Sequence, residues 1–241
     1  GEVTMTRQQN TPEIYLSMPH PCSYLPGRTA TTLFVDPRHI LNDEEFGRFM
    51  SSGFRRSGDL VYRPHCQDCQ ACVPVRVPVR DFRPTRSQRR NFRRNEALSV
   101  IDRPAVFSRE HFDLYRRYQA SRHRGEGMDD PDPAKYMNFL IGQGLDTRFY
   151  EIRDSYRLLA VAVVDHLPDG LSAVYTFYDP METARGLGVY SVLWEIEQTR
   201  QLRLPYLYLG YWIRESRKMA YKTAFRPIEA YVGGRWQRLI G

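Results

Sequence analysis

Gly186-Leu187-Gly188-Val189-Tyr190-Ser191-Val192-Leu193-Trp194-Glu195-Ile196 sets two glycines ahead of apolar residues at helical spacing. Val189, Val192, Leu193 and Ile196 fall at i, i+3, i+4 and i+7, which predicts a helix buried along one face and opened by a glycine turn. Three strand-like runs precede it, at 148–153, 158–165 and 173–178. Asp154-Ser155-Tyr156 and Pro168-Asp169-Gly170 separate these runs as hairpin turns. After the helix, Tyr206–Trp212 reads as a strand, Ser216 as the cap of a short helix reaching Phe225, and Gly233-Gly234 as the turn between two closing strands.

Upstream, Ser108 caps a helix through Phe112, Tyr115 and Tyr118 to about Arg122. A flexible loop follows at 124–130, and Pro131 leads into a second helix through Tyr136, Phe139 and Leu140. Two helices, an antiparallel meander, a glycine-led helix, a strand, a helix and a hairpin make an α+β order. It matches an acyltransferase fold of the GNAT type. Arg103-Pro104 is the expected boundary, dividing the chain into a small cysteine-bearing N-terminal domain, 1–102, and a GNAT-like domain, 103–241. In the first, 31–35 is strand-like, and Asn42 or Asp43 caps a short helix carrying Phe46, Phe49 and Met50 that Gly53 closes. Residues 73–79 alternate as a strand in which Pro74 and Pro78 point to a sheet edge, and 97–101 forms another.

Tyr62-Arg63-Pro64-His65-Cys66-Gln67-Asp68-Cys69-Gln70-Ala71-Cys72 holds three of the chain's four cysteines on one tight loop, and Cys22 is the fourth. Cys-x-x-Cys sets two thiolates on one side of a turn. Cys22, Cys66, Cys69 and Cys72 together would complete a shell suited to structural zinc or an iron–sulfur cluster. His65 could replace one thiolate, and reduced, buried cysteines or a disulfide would satisfy the same spacing.

Immediately after this loop, residues 76–95 carry Arg76, Arg80, Arg83, Arg86, Arg89, Arg90, Arg93 and Arg94 against a single acid, Asp81. Beyond Pro84 the arginines take helical spacing, with Phe82 and Phe92 interleaved. Such a stripe suits phosphate recognition by planar guanidinium forks, and Arg83, Arg86, Arg89, Arg90, Arg93 and Arg94 are the candidate nucleic-acid contacts. A solvated basic helix face is the plainer alternative.

The net charge of +7 rests on arginine, since Lys135, Lys218 and Lys222 are the only lysines among 35 basic residues. A hydrophobic fraction of 41% with 26% charged residues is globular composition and excludes a disordered chain. No apolar run approaches the roughly 18 residues of a membrane span. Four cysteines at metal-like spacing suit a reducing compartment, so a cytosolic protein is expected.

Several motifs together carry a resemblance. They are Cys22-Ser23-Tyr24-Leu25-Pro26-Gly27-Arg28, Tyr62-Arg63-Pro64 with its cysteines, 82–95, and Val174-Tyr175-Thr176-Phe177-Tyr178-Asp179-Pro180. Gly210-Tyr211-Trp212-Ile213 and Lys218-Met219-Ala220-Tyr221-Lys222-Thr223-Ala224-Phe225-Arg226-Pro227 extend it over nearly the whole chain. The sequence resembles the arginyl-tRNA–protein transferase family, and within it the short bacterial subgroup associated with leucine. The resemblance implies transfer of an aminoacyl group from a charged tRNA to the α-amine of proteins beginning with Asp or Glu, marking them for degradation as N-degrons. It implies no cofactor for the chemistry. Leu-tRNA is the expected donor and Arg-tRNA the alternative. Where some relatives have a cysteine near Tyr211-Trp212, this chain has Ser216, so no thiol there is essential.

Such chemistry requires a cationic pocket for the acceptor carboxylate, a donor for the developing oxyanion and a slot for the donor side chain. Arg28 and Arg63 are the expected carboxylate clamp, with Tyr24 beside them. Asp179 is expected to hold the α-amine, with Tyr175, Tyr211 and Lys218 as further catalytic candidates. Tyr178, Tyr190, Trp212 and Tyr221 would crowd the cleft, although aromatics at this density also fill cores. Lys218 and Lys222, four apart, would share a helix face toward a phosphate or the acceptor. The amides after Gly186 and Gly188 would face the tRNA's terminal adenosine. An acetyl-CoA-dependent N-acetyltransferase is the rival enzyme, weakened because Thr183 stands where its phosphate loop expects Arg or Gln. A zinc-knuckle RNA-binding protein is the non-enzymatic rival.

Overall fold

The computed structural model describes residues 11–67, 69–122 and 132–240. The loop expected at 124–130 lies outside them. The described residues form a mixed α+β fold on an eight-stranded sheet, with strand order β14-β13-β7-β12-β11-β10-β9-β8. Its strands are β7 (Val73–Pro78), β8 (Ser99–Pro104), β9 (Asp146–Asp154), β10 (Arg157–Leu167), β11 (Gly170–Tyr178), β12 (Tyr206–Trp212), β13 (Glu229–Val232) and β14 (Arg235–Arg238). A second sheet of order β1-β4-β6-β5 holds β1 (Ile14–Leu16), β4 (Thr32–Val35), β5 (Arg55–Ser57) and β6 (Leu60–Pro64), while β2 (His20–Pro21) pairs with β3 (Thr29–Ala30). The large sheet takes β7 and β8 from the first 102 residues, so it is built from both sides of the expected boundary.

Helix ends follow the capping signals. Helix α1 (Asp43–Ser51) starts at Asn42 and α2 (Arg86–Arg94) at Thr85, each with a reciprocal capping box. For α3 (Arg109–Arg122), the Ser108 hydroxyl accepts from the His111 amide at 3.3 Å. Helix α4 (Pro133–Leu140) is capped by Asp132, and α5 (Leu187–Gln201) begins after Gly186.

Alternation in β10 sorts the core. Val161 and Val163 pack with Phe112, Leu114, Tyr136 and Phe177 under α3 and α4, whereas Ala162 and Val164 join Val192, Leu193 and Ile196 under α5. A third cluster, Val35, Phe46, Met50, Phe54 and Val61, joins α1 and the small sheet to Leu167 and Tyr208 of the large one.

Two local expectations are corrected. Strand β7 lies inside the sheet rather than at its edge. Its pairing with β13 covers only Val75 and Arg76, so Pro74 and Pro78 sit outside that ladder and forfeit no hydrogen bond to it. The segment after Ser216 is a 3-10 helix, Arg217–Ala224, and the Ser216 side chain makes no capping hydrogen bond. Within it Lys218 is exposed and Lys222 partly buried.

Candidate functional site

Strands β11 and β12 are parallel, and their register joins only Gly170, Leu171 and Ser172 to Tyr206, Leu207 and Tyr208. Each strand runs on past that pairing, to Tyr178 and Trp212. Past this fork lies a cleft of about 1010 Å³, also walled by the start of α5, the 3-10 helix and β5.

A fork leaves backbone carbonyls without ladder partners, and buried carbonyls need donors. Two cations supply them. Arg55, on β5, donates to the Ser172 hydroxyl at 3.0 Å and to the Ala173 carbonyl at 3.1 Å on the β11 side. Lys222 donates to the Tyr211 carbonyl at 2.7 Å on the β12 side. Gly210 lies between them at φ +89°, where an added Cβ would meet Arg55 Nη2 at 3.3 Å and Lys222 Nζ at 3.4 Å. Neither cation has a carboxylate partner among the described residues, and both keep unused N–H groups at the cleft wall. Burial lowers the Arg55 pKa, and burial together with the Arg55 charge brings Lys222 down to about 7.

Of the expected site residues, Tyr24, Tyr175, Tyr178, Tyr211, Tyr221, Lys218, Lys222, Gly186 and Gly188 border the cleft. The Tyr175 hydroxyl accepts from Gln119 at 2.7 Å, and that of Tyr211 lies 3.1 Å from the carbonyls of both Gly53 and Tyr62. Burial pushes the phenols of Tyr175, Tyr211 and Tyr221 above their ordinary range, so they stay neutral donors.

Others lie elsewhere. Asp179 falls between the cleft-facing Tyr178 and Pro180 with its own side chain turned away, accepting from the Met181 amide at 3.0 Å and facing Arg117 at 3.6 Å. Trp212 likewise alternates away from Tyr211, and Tyr190 packs on Phe92 with ring centroids 5.7 Å apart. Arg63 lies over the Phe54 ring at 5.2 Å, and Arg28 donates to the Cys69 sulfur at 3.4 Å; neither borders the cleft.

Among the cleft residues that escaped the sequence reading, two stand out. Arg55 sits in an unremarked Arg55-Arg56 pair. Its neighbour Arg56 is buried against Asp165, with Nη2 to Oδ1 at 2.8 Å, which pins β5 to β10 and leaves Arg55 facing the fork. The other is Glu195. It falls one turn beyond Val192 on the buried face of α5, is 1% exposed, and neither carboxyl oxygen has a partner among the described residues. Burial pushes its carboxyl up to about 8. A charged residue on an apolar helix face is the signal that could have found it.

The arginine stripe is helix α2, with Arg86, Arg89, Arg90, Arg93 and Arg94 exposed and Gln88, Asn91 and Asn95 buried. Arg83, also exposed, precedes it. The buried amides dock on the glycine turn: Asn91 donates to the Gly186 carbonyl at 3.0 Å and Asn95 to that of Arg185 at 2.8 Å. A Cβ at Gly186, whose φ is +61°, would come within 2.6 Å of the Asn91 amide nitrogen. The stripe and the cleft entrance are thus one rigid arrangement.

All four cysteines are free and partly buried. The Cys22 sulfur accepts from the amides of Tyr24 and Leu25 at 3.4 Å each, and burial, then the other three thiols, pushes Cys72 up to about 12. Among the described residues no group of three or more His, Cys, Asp or Glu side chains is placed to hold a metal ion. The expected ligand set is not formed in this arrangement, and no step of the chemistry is drawn through it.

A sheet forked at its parallel pair, a glycine-led helix beside the fork and two cations without acidic partners among the described residues make a cleft that suits an anionic group. The family descriptions "Arginine-tRNA-protein transferase, N terminus" and "Arginine-tRNA-protein transferase, C terminus" match residues 20–90 and 110–232, and the chain belongs to this family. It is 53% identical to the aspartate/glutamate leucyltransferase of Nitrosococcus oceani over 94% of this chain and 96% of that one. Identity to the leucyltransferases of the same name is 50% in Thiobacillus denitrificans, over 94% of this chain and 95% of that one, and 51% in Pseudomonas aeruginosa, over 94% and 97%. Among solved structures, FemX aligns at a TM-score of 0.49 and 8% identity over 75% of this chain and 64% of its own, too distant to bear on the fold.

Proposed function

We propose that the chain transfers leucine from leucyl-tRNA to the α-amine of proteins beginning with Asp or Glu. The observation that carries this is the pair Arg55 and Lys222 at the fork, two cations without acidic partners among the described residues. They suit the acceptor's side-chain carboxylate, in place of the Arg28 and Arg63 clamp expected from sequence. Val174, Leu187, Val189, Val192, Leu209 and Met219 give the cleft an apolar lining that suits a leucyl side chain. Glu182 and Asp179, acids that would favour an arginyl donor, are paired with Arg157 and Arg185 and with Arg117.

The donor ester is already activated, and an α-amine with a pKa near 8 is roughly one-tenth neutral at pH 7. Positioning therefore supplies much of the rate. The free amides opening α5 are the natural partners of the tRNA terminus, and the exposed arginines of α2 of its backbone phosphates. The forked sheet serves as a GNAT-like scaffold. Residues 1–102 bring the cysteines, the arginine stripe and the Tyr24, Arg55 and Tyr62 side of the cleft, and 103–241 supply the rest of its wall. Such a tRNA-dependent activity belongs in the cytoplasm, and no described helix is long and apolar enough to cross a membrane.

A transfer assay with labelled Leu-tRNA or Arg-tRNA and peptides beginning with Asp, Glu, Lys or Ala tests this reading. Label from Leu-tRNA on the Asp and Glu peptides alone is the expected result. Label from Arg-tRNA alone would reassign the donor, and none from either would end the reading.

A further inference from the structure

We propose that Glu195 is the proton acceptor for the acceptor protein's α-ammonium group, a role that rests on the aminoacyl-transfer reading above. Gly188, Ser191, Val192 and Glu195 follow one another along the cleft-facing side of α5, and Glu195 is 1% exposed. Both of its carboxyl oxygens lack a hydrogen-bond partner among the described residues. Native proteins seldom leave a carboxyl in that condition without a use for it. The titratable groups facing it are Tyr221 from the 3-10 helix and Tyr150 from β9, whose hydroxyl is held by His166 at 2.7 Å.

The other acids near the cleft are engaged. Glu182 is held by two arginines and Asp179 by the Met181 amide and Arg117, so Glu195 is the cleft carboxyl left available among the described residues. Its proton affinity, raised by burial to a pKa of about 8, matches that of an α-amine, the condition under which proton transfer in either direction is efficient.

The step balances. The α-ammonium gives one proton to the Glu195 carboxylate, and the neutral amine attacks the ester carbonyl, forming the C–N bond. The tetrahedral intermediate loses a second amine proton as the C–O bond to the ribose breaks, and the ribose oxygen leaves as a hydroxyl. Glu195 then returns its proton to solvent.

The test is single-turnover transfer from Leu-tRNA to an Asp-initiated peptide by wild type, Glu195→Gln and Glu195→Asp at pH 6 to 9. Glu195→Gln is expected to lose at least about 100-fold at pH 7, and the deficit should shrink to within about tenfold at pH 9, where the amine is neutral unaided. Its tRNA affinity and melting temperature should not fall. Glu195→Asp should keep the wild-type pH profile at a lower rate. A Glu195→Gln rate within twofold of wild type at pH 7, or a deficit constant across pH, would overturn the proposal. So would a changed preference between Leu-tRNA and Arg-tRNA with the pH profile intact. Wild-type protein that transfers nothing would instead defeat the underlying reading.

Discussion

The side-chain amide of Asn91 donates to the Gly186 carbonyl at 3.0 Å and lies 3.3 Å from the carbonyl of Arg185. One buried side chain thus locks the arginine helix to the turn that opens α5. Asn91→Ala removes these bonds while the Tyr190 amide still serves the Gly186 carbonyl and Asn95 that of Arg185, so the cost is about 1 kcal/mol per bond lost. The melting temperature should fall by several degrees, and KM for aminoacyl-tRNA should rise more than KM for the acceptor. Thermal melts and steady-state kinetics check both.

Arg86, Arg90 and Arg93 lie on the exposed face of α2. Replacing each by Ala should weaken tRNA binding and lower the slope of log affinity against log salt by about 0.7–0.9 per charge. Folding should be unchanged, since no buried contact is lost. Filter binding between 50 and 300 mM salt measures the slope.

Lys222 couples recognition to pH. Its amino group must be charged to hold a carboxylate, so KM for Asp peptides should rise as pH passes through about 7. A bound carboxylate itself favours the charged form, which moves the inflection upward in kcat. Lys222→Arg should flatten the profile, while Lys222→Met should cost about 10- to 100-fold in kcat/KM. The stability effect has the opposite sense. A depressed pKa in the folded state means that stability is present above the ordinary lysine pKa and is lost as pH falls through about 7. Lys222→Met should therefore melt higher than wild type at pH 6, and the difference should vanish near pH 10.5.

Arg56 and Asp165 form a buried pair, with 2% and 1% of their side chains exposed, and Arg56 also donates to the Leu140 carbonyl at 2.8 Å. Arg56→Ala leaves an uncompensated carboxylate and should destabilise by about 3–5 kcal/mol. Because the pair anchors β5, a double variant with Asp165→Asn should recover part of the stability yet not the acceptor KM, since Arg55 would still be displaced. Denaturant unfolding alongside acceptor kinetics separates the two effects.

Much of this was legible in the sequence, for local reasons. The Asn42 cap, the Ser108 cap, the helical spacing of arginines beyond Pro84 and the apolar stripe of α5 are written in neighbouring residues, and those helices form where expected. Strand β12 matches its expected span because both its ends coincide with chemical breaks. What escaped depends on distant partners. Nothing near Pro74 tells that Tyr211 lies across from it in the sheet, and nothing near Arg55 tells that β11 and β12 will part beside it. Asp179 lies just past the end of β11, where the Met181 amide and Arg117 hold its carboxylate away from the cleft, and neither partner is evident from the residues beside it in the strand. In Glu195 the signal was present, a charge on a buried helix face, and it went unread against so many conspicuous aromatics.

The position of β7 governs when the enzyme comes into being. This strand leaves the ribosome about 130 residues ahead of β12 and further still ahead of β13, its neighbours on either side. Until they emerge, Val75 and Val77 form a naked apolar ribbon with two open flanks, and pairings of such sequence separation form slowly. The cleft, walled by β12 and the 3-10 helix, is thus completed only after β7 has long been exposed. A nascent chain surrounded by charged tRNA has no competent site with which to consume it, and the ribbon between its proline ends is where chaperone capture of that chain should concentrate.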